Sequence, residues 1–271
     1  MTTVIWHHGE LHTAAAPVVS GADRGFLLGH GVFTTCGLVE GRPFALTRHL
    51  RRLTENAERI GLPAPPHAHI HHAIDAVSSH LGAVDGRLRI TWAAGPDDHG
   101  SLLVSASSGT SHDQAAQRAV TLPWPHNERS PLSGVKSLSF GANLLGLAEA
   151  QRRGADEGIL LNTRGEVCEA TMSNLIVEVD GTLVTPPLSS GCLPGITREL
   201  LLEWAPEFGI PLRESALPAT ALASVPHAAL TSSLRGVMPL SAIDDRPLDT
   251  GPLISRLSQR YDERRRERLD P

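Results

Sequence analysis

The chain has 271 residues, of which 41% are hydrophobic, and its formal net charge is −5. This size allows one large domain or two modest ones with a buried core. The weak negative charge argues against a nucleic-acid-binding surface, and no run of about 18 apolar residues is available to cross a bilayer. Because the first residues also lack the basic and apolar regions of a signal peptide, we expect a cytoplasmic protein without nucleic-acid or membrane partners.

A glycine-rich segment follows a predicted amino-terminal strand and tight turn over residues 3–11. Glycines at positions 25, 29 and 31 allow the backbone to bend close to a bulky group. Apolar and threonine residues up to Thr35 then predict a strand. From the residues alone, the segment is equally consistent with an ordinary loop.

The clearest helix is predicted for residues 46–61, where apolar residues recur three and four positions apart. Thr47 is a candidate cap at its start, and Gly61 with Pro63 predicts its end. Arg52 lies next to the apolar stripe. Its guanidinium group can therefore reach inward while its stem packs, or it can remain solvated.

A second helix is predicted for residues 67–81, and alternating residues predict strands at 87–92 and 102–107. A small polar stretch and two prolines follow, which suits a joint between domains. The predicted division is a small amino-terminal α+β domain at residues 1–117, a linker at 118–126 and a larger domain at 127–271.

Neither the histidines nor the cysteines predict a metal site or a disulfide framework. The three cysteines have no CxxC spacing and are odd in number. Four histidines crowd the start of the second helix, but they point in several directions and no acidic residue stands among them, so a solvated face is the better interpretation. They are His67, His69, His71 and His72.

Lys136 is the only lysine among 24 basic residues. Unlike a guanidinium group, an amine can lose its proton and attack a carbonyl, as lysines that bind pyridoxal phosphate do. Its neighbours are apolar rather than charged. A solitary solvated lysine is the alternative interpretation.

Glu169 lies in the second strand of a predicted hairpin that begins near Gly158, on the same face as Val167. A carboxylate on an inward face needs a cation, and a protonated pyridine nitrogen is one such partner. A solvated glutamate on an edge strand is the alternative. A second hairpin is predicted around Asp180-Gly181.

A helix is predicted to start near Thr197, which is a candidate N-cap, with Gly195 before it. The unpaired N–H groups of a first helical turn suit a phosphate group. Further along, Ser233 lies in a run of small hydroxyl residues that suits a second phosphate contact or simply a turn. The arginines of the carboxyl-terminal helix are most simply a solvated end; they are Arg264, Arg265, Arg266 and Arg268.

Together these segments resemble the class IV aminotransferase family, the fold-type IV enzymes that use pyridoxal phosphate. The resemblance implies a two-domain α+β fold with a small amino-terminal α/β sandwich and a larger domain built on a pseudo-barrel sheet. Members of this family are homodimers, so the resemblance also implies a homodimer. The resemblance is carried by Lys136-Ser137-Leu138, Gly154-Ala155-Asp156-Glu157, Glu169 with Asn174, Thr185-Pro186-Pro187-Leu188 and Leu193-Pro194-Gly195-Ile196-Thr197-Arg198.

The resemblance also implies roles for individual residues. Lys136 would hold pyridoxal phosphate covalently, Glu169 would pair with the ring nitrogen, and Leu193 would pack on the ring. The phosphate would bind the backbone of Ile196 and Thr197, the Ser233 hydroxyl and the fork of Arg52, which falls in the pattern His-x-x-Arg-Leu.

The predicted substrate is a small amino-acid-like molecule, and its reaction is left open between two classes. The run Phe33-Thr34-Thr35, with Thr35 as a candidate substrate contact, and the segment around Arg235 resemble the lyase branch. This branch eliminates pyruvate from 4-amino-4-deoxychorismate to leave 4-aminobenzoate for folate synthesis. Arg235 is the candidate for a substrate carboxylate, with a surface arginine as the alternative. An aminotransferase that acts on D- or branched-chain amino acids is the second hypothesis.

Three departures from the family pattern support a third hypothesis, a pyridoxal phosphate-binding protein without catalysis. His30 replaces an aspartate on the substrate side, Phe140 replaces a tyrosine, and His99 replaces an arginine that some members carry. The presence of both Lys136 and Glu169 argues against it.

Overall fold

The computed structural model describes residues 2–97, 99–109 and 116–271. These residues fall into two compact units. Residues of Met1–Ser111, Val135–Phe140 and Arg265–Pro271 form the first, and residues of His112–Gly134 and Gly141–Arg264 form the second. The chain thus contributes three separate stretches to the first unit. The domain limits proposed at residues 118–126 remain a prediction.

The first unit contains a six-stranded antiparallel sheet with the strand order β2-β1-β6-β5-β3-β4. Helices α2 and α3 pack on its strands and bury leucine, isoleucine and valine side chains against them. The elements are β1 (Thr3–His7), β2 (Glu10–Thr13), α1 (Arg24–Leu28), β3 (Gly31–Val39), β4 (Arg42–Pro43), α2 (Leu46–Arg59), α3 (His67–Leu81), β5 (Gly86–Ala93) and β6 (Ser101–Ser108).

The predicted helices and strands of this unit are confirmed, but the predicted cap of α2 is wrong. The N-cap residue is Ala45, which has a left-handed backbone with φ of 55° and no capping side chain. Thr47 lies inside the first turn instead. The carboxyl-terminal stretch packs at this point, and Arg265 is buried there rather than solvated, with its Cζ atom 5.4 Å from the centroid of the Phe44 ring.

The second unit contains a nine-stranded mixed sheet with the order β12-β11-β10-β13-β14-β7-β8-β9, and β15 pairs with β14. Its strands are β7 (Gln117–Thr121), β8 (Glu157–Leu161), β9 (Val167–Ala170), β10 (Asn174–Val179), β11 (Thr182–Thr185), β12 (Leu212–Glu214), β13 (Ala228–Ser232), β14 (Gly236–Ile243) and β15 (Arg246–Pro247). Its helices are α4 (Gly141–Arg152), α5 (Ile196–Trp204) and α6 (Pro252–Glu267), the last of which runs on into the first unit.

Both predicted hairpins are confirmed. Strand β8 pairs with β9, and β10 pairs with β11. Between β10 and β11, Asp180 and Gly181 both have positive φ, of 48° and 73°, as a two-residue turn between twisted strands requires. Within the described residues, no helix is long and apolar enough to span a membrane.

Candidate active site

In the first unit, the backbone around Lys136 is held against β3. The Phe33 N–H donates to the carbonyl oxygen of Lys136 over 3.0 Å, and the Leu138 N–H donates to the carbonyl oxygen of Gly31 over 2.8 Å. A Cβ atom at Gly31 would come within 2.5 Å of Leu138 Cδ1 and 3.0 Å of the Trp92 carbonyl oxygen, so glycine lets the two segments approach without a shift of either. The lysine is therefore fixed by its backbone rather than carried on a loose loop.

The Lys136 amine lies beside two phenylalanine rings. Its Nζ atom is 4.6 Å from the centroid of the Phe33 ring and 5.4 Å from that of Phe140. The two rings pack edge to face, with 5.6 Å between centroids. The structure thus brings the predicted residues Lys136 and Phe140 together, with an aromatic surface beside the amine.

Arg89 is a second cation at the Phe33 ring and was not predicted from the sequence. Its Cζ atom lies 3.8 Å from the ring centroid, and its Nε donates to Thr91 Oγ1 over 3.2 Å. Burial, with a smaller effect from Arg87, lowers the pKa of Arg89 to about 10, so the group stays charged at neutral pH. Strand pairing could have indicated it, because Arg89 lies directly opposite Thr35.

Arg52 belongs to a buried polar group with Thr34 and His49. Arg52 Nη2 donates to Thr34 Oγ1 over 3.2 Å, and the same oxygen lies 2.6 Å from His49 Nδ1. All three side chains are buried. The prediction that Arg52 reaches inward is therefore confirmed, although its role toward a phosphate remains a prediction.

His49 is the most deeply buried member of this group, with no exposed surface. Burial, reinforced by the charges of Arg52 and Lys136, holds the pKa of His49 well below its usual range, so the ring is neutral. Within the described part of the chain, its Nε2 atom has no hydrogen-bond partner. An unpaired buried polar atom costs about 1–3 kcal/mol.

The other two predicted substrate residues of this unit have different surroundings. Thr35 is half-buried on the same face of β3 as Phe33, opposite Arg89. His30 Nε2 lies 3.2 Å from the carbonyl oxygen of Ile60, just after α2, so this ring nitrogen is engaged by the backbone. A contact of His30 with substrate remains a prediction.

In the second unit, Glu169 and Leu193 are joined directly. The Leu193 N–H donates to Glu169 Oε2 over 2.9 Å, and Asn174 Nδ2 donates to the Leu193 carbonyl over 2.9 Å. Asn174 Nδ2 also lies 3.5 Å from Glu169 Oε2. Glu169 is only 9% exposed, so the alternative of a solvated glutamate is wrong.

Helix α5 begins beside this cluster. Its N-cap is Gly195 and no side chain caps it, so the prediction that Thr197 is the N-cap is wrong. Thr197 is instead the second helical residue, and its hydroxyl lies 3.3 Å from the Tyr261 hydroxyl. A Cβ atom at Gly195 would collide with Asn174 Oδ1, so only glycine allows this approach. The first-turn N–H groups of Ile196 and Thr197 have no acceptor within the helix.

Ser233 and Arg235 lie in the turn between β13 and β14. Arg235 Nη2 is 3.8 Å from Glu157 Oε2, a carboxylate that is 1% exposed. Glu157 also accepts hydrogen bonds from the Thr171 and Ser173 hydroxyls. Burial raises the pKa of Glu157 despite these partners. No role for Glu157 was predicted from the sequence, although an acidic residue at the start of an apolar strand indicates a buried carboxylate that needs polar partners.

Within each unit, the residues present fit a part of pyridoxal phosphate. The first unit has a primary amine beside aromatic rings and a buried guanidinium for a phosphate. The second unit has a buried carboxylate for a protonated ring nitrogen and first-turn amides for a phosphate. In addition, the buried hydroxyl of Thr231, opposite Asn174 in the sheet, has no hydrogen-bond partner among the described residues.

On α3, the side chains of His67, His69, His71 and His72 are all exposed, which confirms the predicted solvated face. In the part of the chain that the structure describes, no group of three or more His, Cys, Asp or Glu residues is arranged to hold a metal ion.

A family model for amino-transferase class IV matches residues 31–243. The chain belongs to this family. The predicted family is thereby confirmed, and so is the prediction of an enzyme.

Two relatives of this class IV chain match along almost their whole length. One is the bifunctional aminodeoxychorismate lyase / D-amino acid transaminase of Mycobacterium tuberculosis, with 27% identity over 96% of this chain and 97% of the relative. The other is a putative branched-chain-amino-acid aminotransferase of Methanocaldococcus jannaschii, with 27% identity over 95% of this chain and 94% of the relative.

Two solved structures agree with the class IV assignment. A fold IV-transaminase from Curtobacterium pusillum has a TM-score of 0.87 and 28% identity, with 96% of this chain and 98% of the other covered. A hypothetical aminotransferase from Mycobacterium tuberculosis, in a PLP-bound form, has a TM-score of 0.87 and 25% identity, with 96% and 97% covered. The predicted α+β fold of fold type IV is confirmed.

Proposed function

We propose that this class IV chain is a cytoplasmic, pyridoxal phosphate-dependent 4-amino-4-deoxychorismate lyase, which releases pyruvate and 4-aminobenzoate for folate synthesis. The observation that carries the proposal is the position of the chain's only lysine. Its amine lies beside the Phe33 ring, which also packs against the half-buried cation of Arg89. An amine beside an aromatic surface and a cation suits an anionic substrate with a planar ring.

Each cofactor contact is proposed for a residue whose surroundings support it. Lys136 would hold the cofactor, and the buried carboxylate of Glu169 would keep its ring nitrogen protonated. The side chain of Leu193 would cover the ring. The phosphate would be bound by the guanidinium group of Arg52, the first-turn amides at Ile196 and Thr197 and the hydroxyl of Ser233.

When bound, pyridoxal phosphate supplies an electron sink for the carbon that carries the substrate amine. Lys136 acts as the base that removes the proton from this carbon. The carbon–oxygen bond to the pyruvate moiety then breaks, and Lys136 returns a proton to the departing group. Because the six-membered ring becomes aromatic in this step, 4-aminobenzoate is released without an amino acceptor.

Two features favour elimination over transamination of branched-chain amino acids. The run Phe33-Thr34-Thr35 lacks the glutamate that branched-chain aminotransferases tend to have after the aromatic residue. The only tyrosine, Tyr261, is fully buried and close to the Thr197 hydroxyl, so it offers no phenol to a substrate. Arg89 and Arg235 are the proposed contacts for the substrate's two carboxylates.

Transamination of D- or branched-chain amino acids is the alternative function, because Arg89 beside Phe33 would equally bind the side-chain carboxylate of a dicarboxylic acceptor. The relative from Mycobacterium tuberculosis, whose name combines a lyase and a D-amino acid transaminase, gives this alternative support. A binding protein without catalysis is the remaining alternative, supported by the departures at His30, Phe140 and His99.

One experiment separates the three functions. The protein loaded with pyridoxal phosphate is incubated with 4-amino-4-deoxychorismate alone, with D-alanine or L-leucine alone, and with each amino acid plus 2-oxoglutarate. We expect 4-aminobenzoate and pyruvate in equal amounts from the first mixture. Oxo-acid formation only when 2-oxoglutarate is present would establish the aminotransferase. A visible cofactor absorbance that no amine changes would indicate a binding protein.

We also propose that the protein is a homodimer, as the family resemblance implies. Light scattering after size-exclusion chromatography tests this, with a mass near twice 28.9 kDa as the expected result.

A further inference from the structure

Thr34 and His49 lie next to Arg52 and have no assigned role. His49 and Arg52 are three positions apart on α2, so their side chains leave the same face of the helix. That face meets Thr34 on β3, and all three side chains are 5% exposed or less. The Thr34 oxygen is the central atom, with Arg52 Nη2 at 3.2 Å and His49 Nδ1 at 2.6 Å.

The hydrogen-bond directions follow from the chemistry of the three groups. A guanidinium can only donate, so Arg52 donates a hydrogen bond to one lone pair of the Thr34 oxygen. The Thr34 hydroxyl then has one proton to donate, and the unprotonated Nδ1 of a neutral His49 is the acceptor beside it. This gives a directed chain from Arg52 through Thr34 to His49, in which each bond polarises the next.

His49 itself does not touch a ligand. No exposed surface remains on the residue, and its Nε2 atom is buried without a partner among the described residues. An apolar side chain would fill this position between helix and sheet without an unpaired nitrogen. The imidazole is therefore explained by its contact with Thr34 rather than by packing.

We infer that Thr34 and His49 are positioning residues that hold the Arg52 guanidinium in one orientation for the phosphate of the cofactor. The inference rests on the proposed function, in which Arg52 binds that phosphate. The pKa of His49, lowered by burial and by the neighbouring cations, supports it because a neutral ring keeps its acceptor. With one Arg52 donor fixed on Thr34, the other N–H groups of the fork are pre-oriented, which reduces the entropy lost on binding.

The test compares two ligands that differ only in the phosphate, pyridoxal phosphate and pyridoxal. Their dissociation constants are measured by titration of the full-length protein carrying Thr34→Val, Thr34→Ser, His49→Asn or Arg52→Ala. We expect Thr34→Val to weaken pyridoxal phosphate binding about tenfold, the effect of one lost hydrogen bond, and to leave pyridoxal binding unchanged. Thr34→Ser retains the hydroxyl and should bind as the wild type does.

A double variant gives the decisive control. Thr34→Val should have no further effect on pyridoxal phosphate binding once Arg52 is alanine, because it acts through Arg52. Equal weakening of both ligands, or an undiminished effect of Thr34→Val in the Arg52→Ala background, would overturn the inference. Circular dichroism checks folding. If His49→Asn does not fold, the comparison of Thr34→Val with Thr34→Ser decides between the outcomes.

Failure of the inference can be distinguished from failure of the proposed function. If Arg52→Ala loses affinity for pyridoxal phosphate while the Thr34 and His49 variants do not, only the positioning role is wrong. If Arg52→Ala binds pyridoxal phosphate as the wild type does, the phosphate role of Arg52 is wrong and the inference fails with it.

Discussion

The Thr47 hydroxyl donates to Asp270 Oδ2 over 2.6 Å, and the Thr47 backbone N–H donates to Asp270 Oδ1 over 3.0 Å. Two further contacts join the same segments, since the Ala45 N–H donates to the Leu269 carbonyl and Arg48 Nε donates to the Pro271 carbonyl. Helix α2 lacks a capping side chain of its own, so a residue 223 positions away provides the cap.

Replacement of Asp270 by alanine should destabilise the protein. The loss of a capping carboxylate typically costs about 1 kcal/mol, and Asp270→Asn should cost less because its amide oxygen still accepts one bond. Urea unfolding of both variants measures the effect, with Asp75→Ala on the exposed face of α3 as the control. A free energy of unfolding equal to that of the wild type would show that the tail does not stabilise α2.

Lys136→Ala should abolish turnover, and Lys136→Arg should do the same because a guanidinium cannot attack a carbonyl. Since the chain has no other lysine, borohydride reduction of the loaded wild-type protein should attach the cofactor to one internal peptide, identified by mass spectrometry. The α-amino group is the internal control for nonspecific labelling. Cofactor attached elsewhere, or turnover by either variant, would contradict the role of Lys136.

Glu169→Gln should slow turnover by orders of magnitude, because a neutral amide does not keep the cofactor's ring nitrogen protonated. Its amide oxygen can still accept the Leu193 N–H, so the melting temperature should change little. Steady-state kinetics and thermal unfolding separate the two effects. The exposed Glu203→Gln is the control, and an unchanged kcat in Glu169→Gln would disprove the assignment.

Arg89→Gln should raise KM for the carboxylate substrate by about 10- to 100-fold with a smaller effect on kcat, since a lost charge-assisted hydrogen bond is worth about 1.5–3 kcal/mol. The exposed neighbour Arg87 provides the control variant Arg87→Gln. Arg235→Gln tests the second proposed carboxylate contact in the same assay. Because Arg235 already contacts Glu157, we expect a smaller rise in KM for Arg235→Gln than for Arg89→Gln. A larger rise for Arg235→Gln would reassign the main carboxylate contact to Arg235.

His49 should make the native state less stable in mild acid. Its pKa is lowered in the folded protein, so below the unfolded value of 6.5 the unfolded chain binds a proton that the native state does not. Stability is therefore retained above pH 6.5 and falls as the pH decreases below it, by at most about 1.4 kcal/mol per pH unit from this residue.

Denaturant unfolding of the wild type and His49→Asn between pH 5 and pH 8 measures this slope. His7 and His126, whose pKa values are also lowered by burial, titrate in both proteins and cancel in the difference. Parallel curves for the two proteins would show that His49 is protonated in the native state.

The sequence predicted the elements that have regular periodicity and strong end signals. The second helix was predicted at residues 67–81 and is observed as His67–Leu81. Lys136 and Glu169 could be identified because their residue types are chemically unusual at their positions. The family assignment followed from the order of such residues along the chain.

The features that the sequence analysis missed depend on contacts between distant segments. The cap of α2 comes from Asp270, and α5 begins at a glycine that fits against Asn174, so the local signals at Thr47 and Thr197 were misleading. Arg89 became a site candidate only when strand pairing placed it opposite Thr35. Thr34 gains its importance from the helix packed on it, which no local pattern reports.

Because the chain enters the first unit three times, no single cut can separate the two units as intact pieces. A fragment truncated before Val135 would lack the reactive amine and the tail that caps α2, and its complement would have lost the strands that hold that amine. An exchange of one unit between relatives would therefore need four junctions, one at the first change of unit near residue 111, one on each side of residues 135–140 and one before Arg265.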